Sequence, residues 1–594
     1  MKKYGLLVLM LSLVLTACRK DINEVVIVDI IPDPEIIEGY EPATRMVNAS
    51  LMGFVVDETG TPVPNAEVEF DGDLYSTDPF GHFFINDAEM NALGSLVKVR
   101  KSGYFDGSRR FFPIEDTRNR IKIELIPKIF DLAFESTAGG TVSLPDGPTI
   151  EFSSNTIVAA DGSNYTGTVN VAAKWLDPSS SSVYDQMPGG LQGVGFNTNN
   201  EEVALATLGM IAVELEGENG EALNLSETGG AILTMPIPQS LLADAPAQIP
   251  LWSYNETHGI WVEESVALLQ NGAYVGTVSH FSFWNCDIPH PYTDITMTFV
   301  DENGIPLVNY QVTLTSSNFG IGSGYTNSQG SVFGIIPAGE TLDLNLNGLC
   351  SVVLYNTTVG PFTSSADLGV ITVTTVNNLS TNVTGSLECN GVPVNDGLLI
   401  ATYGNVTEYH YLDQNTFDIF FFPTCPAIST VSITGVNLDD LSQSEVQTVT
   451  SGITTNIGAL NVCQNPLEQY FRITVDGVTK TYVEPGLYAF AVDSIGAAQT
   501  MVSVWGSTGD DNYNYYFSFE GATTGDYSND HFVEILADGA ENWFLSGNGV
   551  DDFDNLFITQ HGDVGDPLTG NFNGIFSNQG TPVNVSGEFR ILLE

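Results

Sequence analysis

Apolar and polar residues alternate with period two along most of the chain, in short runs broken by Gly, Asn, Asp and Pro. Period two puts successive side chains on opposite faces of a strand, so each run predicts a half-buried β-strand, and no sustained helical stripe competes with that reading. The stretch after Ala49 shows the pattern. "MGFVVD" alternates as a strand, "ETGTP" is a turn, "AEVEF" is a second strand, "STDPFGHFFI" holds a turn and a third strand, and "LVKVRKSGY" supplies a fourth. In the first turn Gly60 can take positive φ and Pro62 pre-sets the exit. The same phrase recurs. "VVDETGTPVPNAEVEF" starts at Val55, "FVDENGIPLVNYQVTL" at Phe299 and "LECNGVPVNDGLLI" at Leu387. The segment "YTNSQGSVFG" near Thr326 also echoes the turn from Thr77 to Gly81. A turn that demands Gly and Pro explains the repetition, and the wide spacing of the copies makes them separate domains rather than a solenoid.

These features predict an all-β chain of several tandem β-sandwich domains. The expected order is a leader at 1–17, an acidic tether at 18–47, a first sandwich at 48–128, a larger β-sandwich block at 129–290, repeats at 291–375 and 376–464, and a C-terminal β-sandwich at 465–594. The start at Gly53, the turn "DETGTPVPNAEV", the turn from Thr77 to Gly81 and "VRKSGY" resemble the carboxypeptidase regulatory-like domain. That resemblance implies a transthyretin-like, seven-strand sandwich in 48–128 and in both repeats. No catalytic domain precedes the module here. Within the larger block, Trp252 and Trp261 flank a turn, as in a hairpin whose rings pack on a core.

The first residues, "MKKYGLLVLMLSLVLTAC", join a positive start to an apolar run too short for a comfortable membrane span. "LTAC" resembles the lipobox of bacterial lipoproteins, which implies acylation of Cys18 and a lipid anchor in the outer membrane. "RKDINE" behind it resembles the surface-export signal of Bacteroidetes lipoproteins and implies a chain facing the cell surface. Acidic residues outnumber basic ones 72 to 18, which removes the basic footprint that nucleic-acid binding needs. No Lys or Arg occurs between Lys174 and Arg472, and half of the 18 fall from Lys98 to Lys128. The acidic excess reads as a soluble exterior surface.

With Cys18 assigned to lipid, five cysteines remain, and an exported compartment permits disulfides. Cys286 is expected to pair with Cys350. One link is expected among Cys389, Cys425 and Cys463, with three pairings open. No Cys-x-x-Cys spacing points to zinc. "HFVE", from His531 to Glu534, has the spacing of two zinc ligands but alternates as a strand. No catalytic set of nucleophile, base and orienter stands out, and no cofactor is expected beyond calcium. For calcium the acidic loops offer oxygen ligands: Asp510 and Asp511 in "GDDNYNYY", Asp552 and Asp554 in "GNGVDDFDNLF". The expected function is non-catalytic display of sandwich modules for binding or adhesion, with a glycan or a surface protein as partner. Two alternatives stay open. One is a carbohydrate-binding accessory lipoprotein of a glycan-uptake system, for which Tyr513, Tyr515 and Tyr516 are the clustered aromatics. The other is a hydrolase with an unrecognised site in 129–290.

Overall fold

The computed structural model describes residue 40 and residues 42–592, apart from 146, 181, 196–200, 227–228, 244, 349–351, 375–380, 404–405, 422–427, 440, 464–468, 476–477, 484–487, 495–498, 509–510, 521–523, 528–530, 539–542, 546–551, 561–566 and 579–580. The described chain is built of strands, with one single-turn helix, α1 (Val183–Gln186). No helix among the described residues is long and apolar enough to cross a membrane.

The first sandwich holds seven strands: β1 (Met46–Asp57), β2 (Glu67–Phe70), β3 (Asp73–Ser76), β4 (His82–Asn91), β5 (Ser95–Arg100), β6 (Gly107–Phe111) and β7 (Arg118–Leu125). They form one sheet in the order β4-β1-β7 and a second in the order β3-β2-β5-β6. All neighbours are antiparallel except β1 and β7, which run parallel. Alternate residues face inward, so Leu51, Val55, Val68, Val97, Val99 and Ile123 fill the core.

Two further sandwiches repeat this plan. In the second, the strands Ser331–Pro337, Tyr292–Asp301 and Ala366–Val373 form one sheet. Gly320–Tyr325, Gln311–Ser316, Leu342–Asn347 and Val353–Val359 form the other. The first and last strands are again parallel. In the third, Thr381–Cys389 pairs in parallel with Thr454–Asn461 and antiparallel with Thr416–Phe421, and the opposite sheet has four strands. The repeated phrase is the same turn in the first two copies, closed by Asp57 against Thr61 and by Asp301 against Ile305, but a tighter two-residue hairpin of Asn390 and Gly391 in the third; Gly60, Gly304 and Gly391 share φ of 80°, 83° and 86°. An added Cβ would meet nothing within 4 Å at any of them, so the backbone angle alone calls for glycine. The second echo is structural too. Thr77 and Thr326 each donate a side-chain bond to a carbonyl, Val63 at 2.7 Å and Leu307 at 2.6 Å, and accept one from a backbone N–H.

The larger block is a connected network of thirteen strands. Trp252 and Trp261 sit on paired strands, Gln248–Asn255 and Ile260–Gln270, and both rings are fully buried as expected. Their indole N–H groups donate to the carbonyls of Asp287 (3.1 Å) and Gly190 (2.9 Å). The C-terminal region folds as a six-stranded sheet against a five-stranded one, around Phe471, Tyr515, Phe517, Phe572 and Phe589.

The domains are not separate beads. Phe105 and Ile126 of the first sandwich share a core with Tyr184, Trp252 and Trp261 of the block. The Arg110 guanidinium makes two bonds of 3.1 Å to the Glu202 carboxylate, which also accepts from the Tyr40 hydroxyl at 2.6 Å. Lys122 meets Asp185 at 2.9 Å, and Lys128 meets Glu214 at 2.9 Å. Towards the second sandwich, Arg118 and Ser328 exchange hydrogen bonds at 3.1 Å. Towards the third, the Arg118 guanidinium lies 4.5 Å from the Tyr411 ring centre, and Phe84 stacks on that ring. The C-terminal region docks through the Asn65 amide, which bonds the backbone of Thr481 in both directions at 2.6 Å. Arg110, Arg118, Lys122 and Lys128 of the cation cluster thus reach neighbouring domains, while Lys98 and Arg100 pair with Glu67, Glu69 and Asp106 inside the first sandwich.

Candidate functional site

The second sandwich lacks side chains along one open edge. Its edge strands are Gly320–Tyr325 in one sheet and Ser331–Pro337 in the other. Gly322 pairs with Leu314 and Gly324 with Val312, so these glycines share the inward face with two core residues. Gly334 pairs with Ile295 on the opposite sheet. A Cβ at Gly322 or Gly334 would meet nothing within 4 Å. The missing side chains leave a slot between the sheets, and Leu314 and Val332 are only half-buried beside it. In the first sandwich the equivalent edge strand β3 supplies Tyr75, which pairs with Val68 and packs on the core.

The slot opens into a cavity of about 260 Å³ shared by three domains. The second sandwich contributes Ile295, Met297, Val312 and Val332, and the block contributes Tyr184, Met187 and Leu205. The first sandwich contributes Arg109, Phe112, Arg120 and Lys122 from β6, β7 and the segment between them. Lys122 is committed to Asp185 and Arg110 to Glu202. Arg109 and Arg120 make no hydrogen bond or ion pair to a described residue, and Arg109 Nη2 and Arg120 Nε are buried without partners. The Arg120 guanidinium carbon lies 5.7 Å from the Tyr325 ring centre. Burial pulls both guanidinium pKa values down, against the attraction of Asp185 for Arg109 and of Tyr325 for both. A cavity that joins an apolar slot to two guanidinium groups with buried, unpartnered nitrogens can hold an anion with an apolar body.

The structure brings together few of the residues singled out from sequence. Cys389 and Cys463 form a disulfide with Cα atoms 5.0 Å apart, closing the third sandwich as expected. Cys286 corrects the other expectation. It is a free thiol, fully buried in the block's core beside Leu251 and Trp284, and its pKa is raised by burial and by Asp287. It faces inward from the strand Phe283–His290 and pairs with Leu251, so its side chain serves packing rather than a link to Cys350. Cys18, Cys350, Cys425 and Asp510 lie outside the described residues. Asp511, Asp552 and Asp554 lie on strand backbone, with side chains outside the described set. The side chains of "HFVE" are outside it as well, and no cluster of metal-ligating groups occurs among the described residues. Tyr515 is core, with its hydroxyl 2.9 Å from that of Tyr482, so it cannot stack on a sugar. Tyr516 faces the other way and reaches the Met501 sulfur, and the Tyr513 side chain is outside the described set.

The block does gather buried polar groups. Glu264 accepts from the Ser253 hydroxyl and lies 2.9 Å from His280 Nε2. Asn285 donates to Asp287 at 2.5 Å and accepts from Thr207 at 2.8 Å. Burial pushes the Asp287 carboxyl well above the usual carboxylate range. In this order the carboxylate stands between serine and histidine. A nucleophile relay needs the histidine in the middle, and Ser253 is fully buried. The arrangement pairs interior polar groups with one another and leaves Glu264 Oε2 and Asp287 Oδ1 buried without a hydrogen-bond partner.

No family model matches the chain. No curated protein matches it. Among solved structures it is similar to the Bacillus anthracis TIE protein, at 13% identity over 55% of this chain and 51% of that one, with a TM-score of 0.13. It is similar to the shaft pilin spaA from Lactobacillus rhamnosus GG, at 9% identity over 28% of this chain and 98% of that one, with a TM-score of 0.16. A third is BcpA, the major pilin subunit of Bacillus cereus, at 8% identity over 70% of this chain and all of that one, with a TM-score of 0.11. The chain spans about half the length of the TIE protein. Likenesses at this level carry no argument about a common function.

Proposed function

We propose that the protein is a non-catalytic, lipid-anchored protein of the outer membrane that presents a docked array of β-sandwiches at the cell surface for binding or adhesion. The observation that carries this reading is the array itself: a first sandwich that holds half of the chain's Lys and Arg, to which four regions are fastened. A body held that way presents its outer faces in fixed relation, which suits multivalent contact with a glycan or a surface protein. The three sandwiches of one strand order are those we assign to the carboxypeptidase regulatory-like type, and the anchor is Cys18.

The test is direct. Cys18→Ser should move the protein from the membrane fraction to the soluble fraction and remove acyl labelling. Protease added to whole cells should cleave the wild-type chain. A Cys18→Ser protein that kept its label and its membrane association would refute the anchor. Protection of the wild-type chain in intact cells, with cleavage after lysis, would refute surface exposure. Glycan and protein arrays probed with the purified chain then decide the partner class.

A further inference from the structure

We propose that the cavity between the first sandwich, the block and the second sandwich binds a medium-chain amphipathic carboxylate, its chain lying along the glycine face of Gly320–Tyr325 and its carboxylate on Arg109 and Arg120. Three independent features point to this ligand class. The inward face of the edge strand is made of Gly320, Gly322 and Gly324, so the interior positions that Tyr75 covers in the first sandwich are left bare. The walls of the slot are the half-buried Leu314 and Val332, with the buried Val312 and Ile336 behind them, and they favour a hydrocarbon. The mouth holds two guanidinium groups with buried, unpartnered nitrogens, and a carboxylate matches their fork geometry.

Length and charge narrow the choice. From Gly320 to Gly324 the strand runs about 13 Å at ~3.3 Å per residue, which suits a chain of roughly ten carbons better than a long acyl chain. Asp185 is the single acidic residue among the described lining residues, and it is taken by Lys122 at 2.9 Å. A cationic or neutral ligand would leave the buried Arg109 Nη2 and Arg120 Nε without an acceptor, and unpaired buried polar groups are costly.

The probe is decanoate, titrated calorimetrically into the purified chain, with decan-1-ol as the uncharged control. Saturable binding of one decanoate per chain is expected, with decan-1-ol at least tenfold weaker. Gly322→Leu fills the slot at a position with open space and no positive φ. It should keep the wild-type circular dichroism and abolish binding. Arg109→Gln with Arg120→Gln breaks no hydrogen bond to a described residue, and it should weaken decanoate at least tenfold while leaving decan-1-ol unchanged. Absence of saturable decanoate binding by the folded wild-type chain would overturn the proposal. So would binding that survives both variants, or binding of decan-1-ol equal to that of decanoate. If Gly322→Leu fails to fold, the arginine pair alone decides.

Discussion

The first and second sandwiches have the same strand order and the same two turns, yet they do different things in the molecule. The first carries nine Lys and Arg from Lys98 to Lys128, while the second carries none from 291 to 375. The first covers its open edge with Tyr75, and the second strips that edge to glycine. The third covers the same position with His410 and Glu408, which pair with Leu399 and Ala401 and lie 3.2 Å apart. Even the shared turn differs at one atom. Asp78 Oδ1 accepts the N–H groups of Phe80 and His82, and Asn327 Oδ1 accepts those of Gln329 and Ser331, in the same geometry. The backbone plan is therefore set by turn and alternation. Function is distributed by edge and surface residues that the plan leaves free.

The largest expected effect separates the cation-rich hub from its repeats. Arg110→Ala leaves Glu202 facing the Tyr40 hydroxyl without its cation, in an interface where the Arg110 side chain is only 4% exposed. Breaking such a pair costs about 3–5 kcal/mol. Hydrogen exchange should quicken in β6 and in the block strand Val203–Glu216, while the strand Leu342–Asn347 of the second sandwich keeps its protection. Equal acceleration in both places would break the distinction between hub and repeat.

Next in size is the third sandwich's own device. The Cys389–Cys463 bond closes a loop of 74 residues. Removing it with Cys389→Ser and Cys463→Ser should lower that domain's stability by about 2–4 kcal/mol in urea, with the first sandwich unaffected. Unchanged urea midpoints would mean that the bond constrains little.

Asp78 and Asn327 give a pH test. The Asp78 carboxyl is pushed up to about 7 by burial, against the backbone bonds it accepts. Its folded pKa lies above the ordinary 3.8, so between those values the folded state holds the extra proton. Stability from this group is full below about pH 4 and falls as pH rises towards 7. His82 acts in the opposite sense. Burial holds its pKa well below 6.5, so its contribution is present at higher pH and is lost as pH falls below that range. Asp78→Asn copies the second sandwich's residue. It should remove the loss between pH 4 and 7, leaving the first sandwich more stable at pH 8 by on the order of 1–3 kcal/mol, since each pKa unit is about 1.4 kcal/mol. An unchanged pH profile in thermal melts would show that Asp78 stays ionised in the fold.

The smallest effect is expected at Lys128. Its partner Glu214 is 42% exposed, and pairs of that kind contribute about 0–1 kcal/mol. Lys128→Ala should shift the melting temperature little and lose even that shift in high salt. A large loss would mean that the outer pairs, and not the buried Arg110 contact, hold the hub.

Much of this fold was legible along the chain because its signals are local. Glycine at positive φ marked the shared turn at Gly60 and Gly304 and the tighter hairpin at Gly391, and alternation marked the strands. The tryptophan hairpin and the link inside the third sandwich also followed from pattern and spacing. What was not legible depends on pairs far apart in sequence. Asn65 meets Thr481 across 416 positions, so nothing near either residue announces the contact. Phe471 stands near the start of the C-terminal region in sequence, yet it is fully buried in that region's core. The cation cluster could be seen, but its partners Glu202, Asp185 and Glu214 come from another domain. One signal was available and passed over. "GIGSGY" puts glycine on every other position of a strand, and a strand face without side chains is weak unless something else approaches it.

The central claim is that one cation-rich sandwich gathers the others into a single body, and small-angle X-ray scattering of the purified chain tests it most directly. The account predicts one compact particle, with a radius of gyration not far above the ~25 Å of a compact chain of this length and unchanged between low and moderate salt. A larger radius with the profile of a flexible string would contradict it.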